Sequence, residues 1–383
     1  MTTEPQRRFT PGMLLPELVS TRGVAAVWVV LAHSYATVLK GHYDLPAAIE
    51  YSRVIVDFFF VLSGFVLAHM YDGPWREGRL RHGDFLIRRL ARLWPLHLFT
   101  LVCVLALVVA GRILGVTPEA THDGASFVMT ALMLHSAWAT PDLAWNWPSW
   151  SVSAEWIAYL MIPLYLAAAD RVRGTARRLA LSLVLFAVCS VGSHMLLRLD
   201  LVTLTFDGGA LRLMPSFLAG ILLRRIFDDE PALLAMTPRI YALVIVGVFA
   251  ACGALIALDA PYDALWPPML VLVAALASRA TWAEPGVLRN RMLIWLGDLS
   301  YSIYLTHAIV IMVLFAGAEH LGFARTLGER AVIGVCVPFV TLGVSVVTYA
   351  IVEKPGRAGF MWVVERLARA QAARRARASG MRI

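Results

Sequence analysis

Two ionisable residues in the first apolar stretch of the chain set the chemical problem. In TRGVAAVWVVLAHSY, Arg22 and His33 stand eleven positions apart, so a helix carries both on one face, about 16 Å apart along its axis. An imidazole can take and return a proton near neutral pH, and a guanidinium can hold an anion. A second stretch, VDFFFVLSGF, opens on Asp57, at a depth similar to that of His33. That carboxylate fits two roles equally: fixing the tautomer of the imidazole, or capping a helix at the interface. Ser63 and Gly64 in the same stretch allow close helix packing. In FLIRRLARLWPLH, Arg89 and Arg92 are three residues apart on one helix face, the layout of a clamp for phosphate oxygens. PSWSVSAEWIAYL brings Ser151, Ser153 and Glu155 into the opening turns of another stretch, where a carboxylate needs either a partner such as His33 or a substrate hydroxyl. LGDLSYSIYLTHAIV repeats Ser300, Tyr304 and His307 at helical spacing, a polar stripe suited to a cavity or a helix interface.

The elements that must position these groups are membrane helices. The chain has 383 residues, of which 59% are hydrophobic and 16% charged, against about 25% charged in soluble domains. Apolar stretches of spanning length recur at 20–39, 54–71, 93–111, 151–169, 179–197, 210–227, 239–258, 264–280, 293–317 and 331–352. Arginines crowd the segments 72–92 and 170–178, which the positive-inside rule makes cytoplasmic. An even number of crossings must separate those two segments, so the short apolar stretch 126–139 is expected to be re-entrant or peripheral. The fold class that follows is an all-α polytopic bundle of ten spans with both termini cytoplasmic: a polar segment 1–19, a membrane domain 20–355 and a basic tail 356–383. The first apolar run lacks a cleavage site after it and is expected to remain as a membrane helix.

In this setting an ionisable side chain at mid-membrane costs about 2.5–3.5 kcal/mol or more, so each one asks for a function. Blander readings stand beside the chemical ones. Arg22 can snorkel, His33 can bond a carbonyl, topology alone places arginines at Arg89 and Arg92, and Trp147, Trp150 and Trp156 suit an interfacial belt. The net charge of +8 is distributed as topology charge, which argues against nucleic acid as a partner. The four cysteines show no metal-type spacing and read as buried structural thiols; no metal site is expected.

Taken in order, Arg22-x10-His33, Asp57-FFFVL-Ser63-Gly64-Phe, Arg89-x2-Arg92-x2-Pro95, Trp150-SVSA-Glu155-Trp, Ser300-YSI-Tyr304-LT-His307 and Glu353-Lys-Pro resemble acyltransferase family 3. These are the polytopic acyltransferases of bacterial surface sugars and some macrolides. The resemblance implies a multi-pass protein of the cytoplasmic membrane that uses acyl-CoA, acetyl-CoA first among donors, as a co-substrate with no permanently bound cofactor. It implies His33 as the central catalytic residue; as general base or as transient acyl carrier, its ring would be held by Asp57 or Glu155. Arg22, Arg89 and Arg92 would hold the CoA phosphates, and Ser63, Trp150, Ser153, Ser300, Tyr304 and His307 would face the substrates. The expected acceptor is a hydroxyl of a surface or lipid-linked carbohydrate, and next a macrolide or other secondary metabolite. Some relatives carry a soluble esterase-like domain; none is expected here, so the membrane domain would finish the transfer or hand over to a separate protein. His33 and the arginines are expected to share one water-accessible tunnel. The rival from another class is a secondary transporter or lipid-linked sugar translocase, which suits intramembrane charge equally well but cleaves no thioester.

Overall fold

The computed structural model describes residues 15–115, 122–234, 236–284 and 286–378, and among these every regular element is helical. The helices are α1 (Pro16–Leu39), α2 (Ala47–Glu50), α3 (Ile55–Arg76), α4 (His82–Ile113), α5 (Gly124–Ala131), α6 (Trp150–Leu160) and α7 (Ile162–Asp170). They continue as α8 (Thr175–Leu197), α9 (Gly209–Asp229), α10 (Pro238–Ala257), α11 (Trp266–Ala280), α12 (Arg291–His320), α13 (Leu327–Thr348) and α14 (Lys354–Ala378). Local chemistry explains many of the boundaries. Pro16, Pro163 and Pro238 stand in first turns, where the missing N–H costs nothing. Asn290 caps α12 by accepting from the Met292 amide at 2.8 Å, and Thr326 with Glu329 forms a capping box on α13.

Among the described residues, eight helical stretches are long and apolar enough to cross a bilayer, or nine when α6 and α7 are one span bent by 60°. Ten crossings were the expectation, and α9 is the element that differs. It covers the expected span 210–227 but carries Arg212, Arg224 and Arg225 in its body and Asp228 and Asp229 at its end. Those three arginines are only 2%, 5% and 1% exposed, so the charge lies against protein rather than lipid. The segment 126–139 forms only the short α5 and a loop. Ser136 N donates to Ser153 Oγ at 3.0 Å and Trp138 N to the Phe206 carbonyl at 3.2 Å, so the loop folds back over the start of α6.

Small residues set the two closest crossings. Gly23 of α1 meets Gly297 of α12 backbone to backbone. On the other side of the bundle, Gly64 of α3 faces the Phe217 carbonyl of α9 while Gly220 of α9 faces the Val61 carbonyl of α3. Any side chain at these positions would overlap the backbone of the neighbouring helix, a carbonyl oxygen at Gly64, Gly220 and Gly297, which is why glycine stands there. At one end of the bundle, ion pairs with at least one buried member tie helix ends together. Arg225 binds Asp72 at 2.5 Å and Asp170 at 2.9 Å, Arg178 binds Asp229 at 2.7 Å, and Arg289 binds Glu17 at 2.5 Å.

The outer faces are apolar as well: Leu243, Val246 and Phe249 of α10 are 71%, 65% and 65% exposed, as lipid-facing residues would be. The same fact corrects the cysteine expectation. Cys189 is buried, but Cys103 and Cys252 are half-buried and Cys336 is exposed, because an apolar neighbourhood in sequence does not distinguish core from lipid. A π-turn at Tyr349–Glu353 links α13 to α14, whose first turns pack on α4 with Phe360 and Trp94 ring centroids 6.3 Å apart. The expected N-terminal segment lies outside the described residues up to position 14. In the tail, the same holds for residues 379–383 and for the side chains of Arg374, Arg375 and Arg377.

Candidate active site

Helices α1, α3, α4, α6 and α12 line a cavity of about 130 Å³. Arg22, Arg89 and Arg92 line one part of it. Their helix phases explain the grouping: Arg22 lies near the start of α1, and Arg89 and Arg92 lie on one face near the start of α4. Arg22 Nη2 donates to Ser300 Oγ at 3.1 Å. Arg89 Nη2 donates to the Tyr71 hydroxyl at 2.9 Å, while its buried Nε has no hydrogen-bond partner among the described residues. A half-buried guanidinium with an N–H to spare, beside two further guanidiniums, suits a phosphate group.

Farther in, the cavity wall turns neutral and acidic. Ser63 Oγ donates to Glu155 Oε1 at 2.6 Å, and the Tyr159 hydroxyl bonds the same carboxylate. The lining ends at Ser151 and Tyr304, whose hydroxyls meet at 2.8 Å. Of the serines expected near a substrate, Ser63 and Ser300 line the cavity. Ser153 does not: it is fully buried and bonds the Met133 carbonyl at 2.9 Å, anchoring the loop that precedes α6.

His33 lies beyond that wall. Its Nδ1 is 3.0 Å from Nε2 of His307, and the two rings are inclined by only 4°. His307 is fully buried, and its Nδ1 lies 2.6 Å from the Tyr304 carbonyl. Trp147 stands edge-on to both imidazoles, with centroids 4.5 Å from His33 and 5.4 Å from His307. The arginines, Glu155, Ser300 and Tyr304 line one cavity, whereas His33 and His307 are not part of its lining; the Tyr304 ring, which is, lies 5.8 Å from the His307 ring.

The expected carboxylate partners of His33 are engaged elsewhere. Asp57 is fully buried and binds Arg212 of α9, with Oδ2 2.7 Å from Nη2 and 3.1 Å from Nε; Ser216 Oγ is 3.4 Å from its Oδ1. A buried guanidinium that also donates to the Arg53 and Leu204 carbonyls is a stronger partner for a carboxylate than a neutral imidazole. Glu155 is taken by Ser63 and Tyr159. Trp150 belongs to neither an interfacial belt nor the cavity wall. It is buried, with the Arg212 guanidinium 5.1 Å over its ring and Phe60 packed edge-on at 6.0 Å. Glu353 accepts from Ser302 Oγ at 2.6 Å.

Residues 17–350 match the family described as an acyltransferase domain. The chain belongs to this acyltransferase family. Two curated proteins are similar to it. "Acyltransferase MdmB" of Streptomyces mycarofaciens is 27% identical over 383 positions, covering 89% of this chain and 91% of that protein. "Protein 2 in picA locus" of Rhizobium radiobacter is 41% identical over 115 residues, covering 30% of this chain and 53% of that protein. The chain thus spans about half the length of that second relative. No solved structure matches it.

Sequence reasoning missed Arg212, Tyr159, Tyr71 and Tyr301, all but Tyr159 because their partners are remote in sequence. Arg212 carried a signal: an arginine inside an apolar stretch calls for a carboxylate in another helix, and Asp57 was available. Tyr159 lay four residues after Glu155, the spacing of a same-face helix pair, and could have been read as its donor. Tyr71 and Tyr301 had no such signal. Their hydroxyls meet Arg89 and the Leu93 carbonyl, both on α4, contacts that only the packing creates.

Proposed function

We propose that the chain is a membrane O-acyltransferase that takes an acyl group, acetyl first, from acyl-CoA and places it on a hydroxyl of a surface or lipid-linked carbohydrate. The observation that carries this reading is the cavity that begins at three guanidiniums and ends one side-chain layer from an imidazole pair. Arg22, Arg89 and Arg92 would hold the phosphates of the donor at the end where loop arginines place the cytosol. The donor's arm would follow the cavity past Ser63 and Glu155 toward Tyr304. Parting the Tyr304 and Ser151 hydroxyls would then admit the thioester to His33. The acceptor would arrive from the opposite side, where Trp147 and the loop leading into α6 adjoin the imidazole pair. His33, which keeps part of its surface exposed, would take the proton from the acceptor hydroxyl and return it to the CoA thiolate. In this reading α9 is a tenth crossing, shielded by its neighbours, and both termini lie in the cytosol.

The test is thiol release from acetyl-CoA by membranes containing the full chain, wild type against His33→Ala. The expected result is release by the wild type and a loss of about 10²- to 10⁴-fold in the variant, the range of general base catalysis. Undiminished release from His33→Ala removes that residue from the chemistry. No release with acetyl-CoA or longer acyl-CoA thioesters favours transport. Mass spectrometry of surface glycans from a deletion strain then identifies the acceptor by the loss of one acyl unit.

A further inference from the structure

We infer that His307 is the positioning residue that fixes the tautomer of His33, so that Nε2 of His33 is the lone pair available to the acceptor hydroxyl. The inference rests on the reading of His33 as the base and deepens it. A carbonyl oxygen only accepts, so the 2.6 Å contact between His307 Nδ1 and the Tyr304 carbonyl requires the proton of a neutral His307 on Nδ1. Its Nε2 is then a bare acceptor. At 3.0 Å from that atom, Nδ1 of His33 must carry the hydrogen of the N–H···N bond. The neutral His33 ring has one hydrogen, so its Nε2 has none. The near-parallel ring planes, 4° apart with centroids 5.2 Å apart, are those of two rings joined edge to edge in a common plane, as this bond demands. Trp147, edge-on to both rings, holds that plane.

The device replaces the carboxylate that commonly orients a catalytic histidine. Asp57 is committed to Arg212 and Glu155 to Ser63 and Tyr159, so the orienting acceptor comes from the backbone of α12, relayed through a second imidazole. In the reaction, the acceptor oxygen bonds the thioester carbonyl carbon as its proton passes to His33 Nε2. The C–S bond then breaks, and the same proton goes to the departing thiolate. His33 is cationic only between those two transfers, with Nδ1–H still bonded to His307.

Replacing His307 with two side chains of similar length separates this role from simple packing. In His307→Gln a side-chain oxygen can still accept from His33 Nδ1–H; in His307→Met none can. With the full chain in membranes of its native host, which contain the acceptor, and acetyl-CoA as donor, His307→Gln is expected to keep kcat within about tenfold of wild type. His307→Met is expected to lose about 10²- to 10³-fold in kcat, with the KM for acetyl-CoA within about twofold. Equal losses in the two variants, a Met variant above one-tenth of wild-type kcat, or a loss confined to KM would each overturn the role of His307. Size-exclusion elution identical to wild type confirms folding of both. His33→Ala in the same assay tests the underlying reading by itself: wild-type turnover there removes the base, whatever the His307 variants do.

Discussion

Asp57→Asn separates a structural carboxylate from a catalytic one. Asp57 and Arg212 are 0% and 2% exposed, and the guanidinium presents both Nη2 and Nε to the carboxylate, at 2.7 and 3.1 Å from Oδ2. Removing one member of such a buried pair leaves an uncompensated charge and costs about 3–5 kcal/mol, roughly a 150- to 5,000-fold shift toward unfolding. Arg212 also ties the Leu204 and Arg53 carbonyls to α9 and lies over Trp150, so the damage should spread through the α3–α9 contact. The assay is thermal unfolding of the detergent-solubilised chain, followed by tryptophan fluorescence, alongside turnover per folded molecule. The expected outcome is a large loss of heat stability, with turnover of the surviving folded protein within about tenfold of wild type. Arg212→Met should be comparably damaging, and Asp57→Asn with Arg212→Met should lose less than the two single losses combined, because neither charge is then stranded. A fully stable Asp57→Asn protein whose turnover falls more than about 100-fold would refute this reasoning and return the carboxylate to the chemistry.

Two further outcomes follow from the same geometry. Arg89→Gln and Arg92→Gln should each raise the KM for acetyl-CoA roughly 10- to 150-fold with kcat nearly unchanged, the worth of a charge-assisted hydrogen bond of about 1.5–3 kcal/mol. Arg89→Lys should recover only part of this, since an ammonium lacks the planar fork; an unchanged KM across the series would empty the proposed clamp. Gly64→Ala and Gly220→Ala should destabilise the chain by about 1–3 kcal/mol or more, because the added carbon meets the Phe217 or Val61 carbonyl oxygen. Gly247→Ala, which meets nothing within 4 Å, should be neutral or stabilising by up to about 1 kcal/mol. Similar heat stability in all three would mean that the α3–α9 crossing is looser than described.

The chain's own order determined the elements and the identity of most of the polar groups that matter. Helical phase alone put Arg89 with Arg92, and Ser300 with Tyr304, on common faces, and the structure finds all four on one cavity wall with Arg22 and Glu155. The brevity of 126–139 and the arginine count on its two sides argued correctly that no spanning helix forms there. Pairing across helices was another matter. For His33 the sequence offered Asp57 or Glu155 as partner; the contact made is with His307. Asp57 went to an arginine 155 positions away, and Cys336 and Trp150 exchanged the outside and inside places that apolar neighbours had suggested. The physical reason is that lipid and protein interior are equally apolar. In water a hydrophobic pattern tells which face of a helix is buried, but in a bilayer it tells only that the helix crosses. Rotation, partner and depth are then decided by glycine contacts, buried charge pairs and hydrogen bonds between distant segments. These exist only once the bundle has assembled.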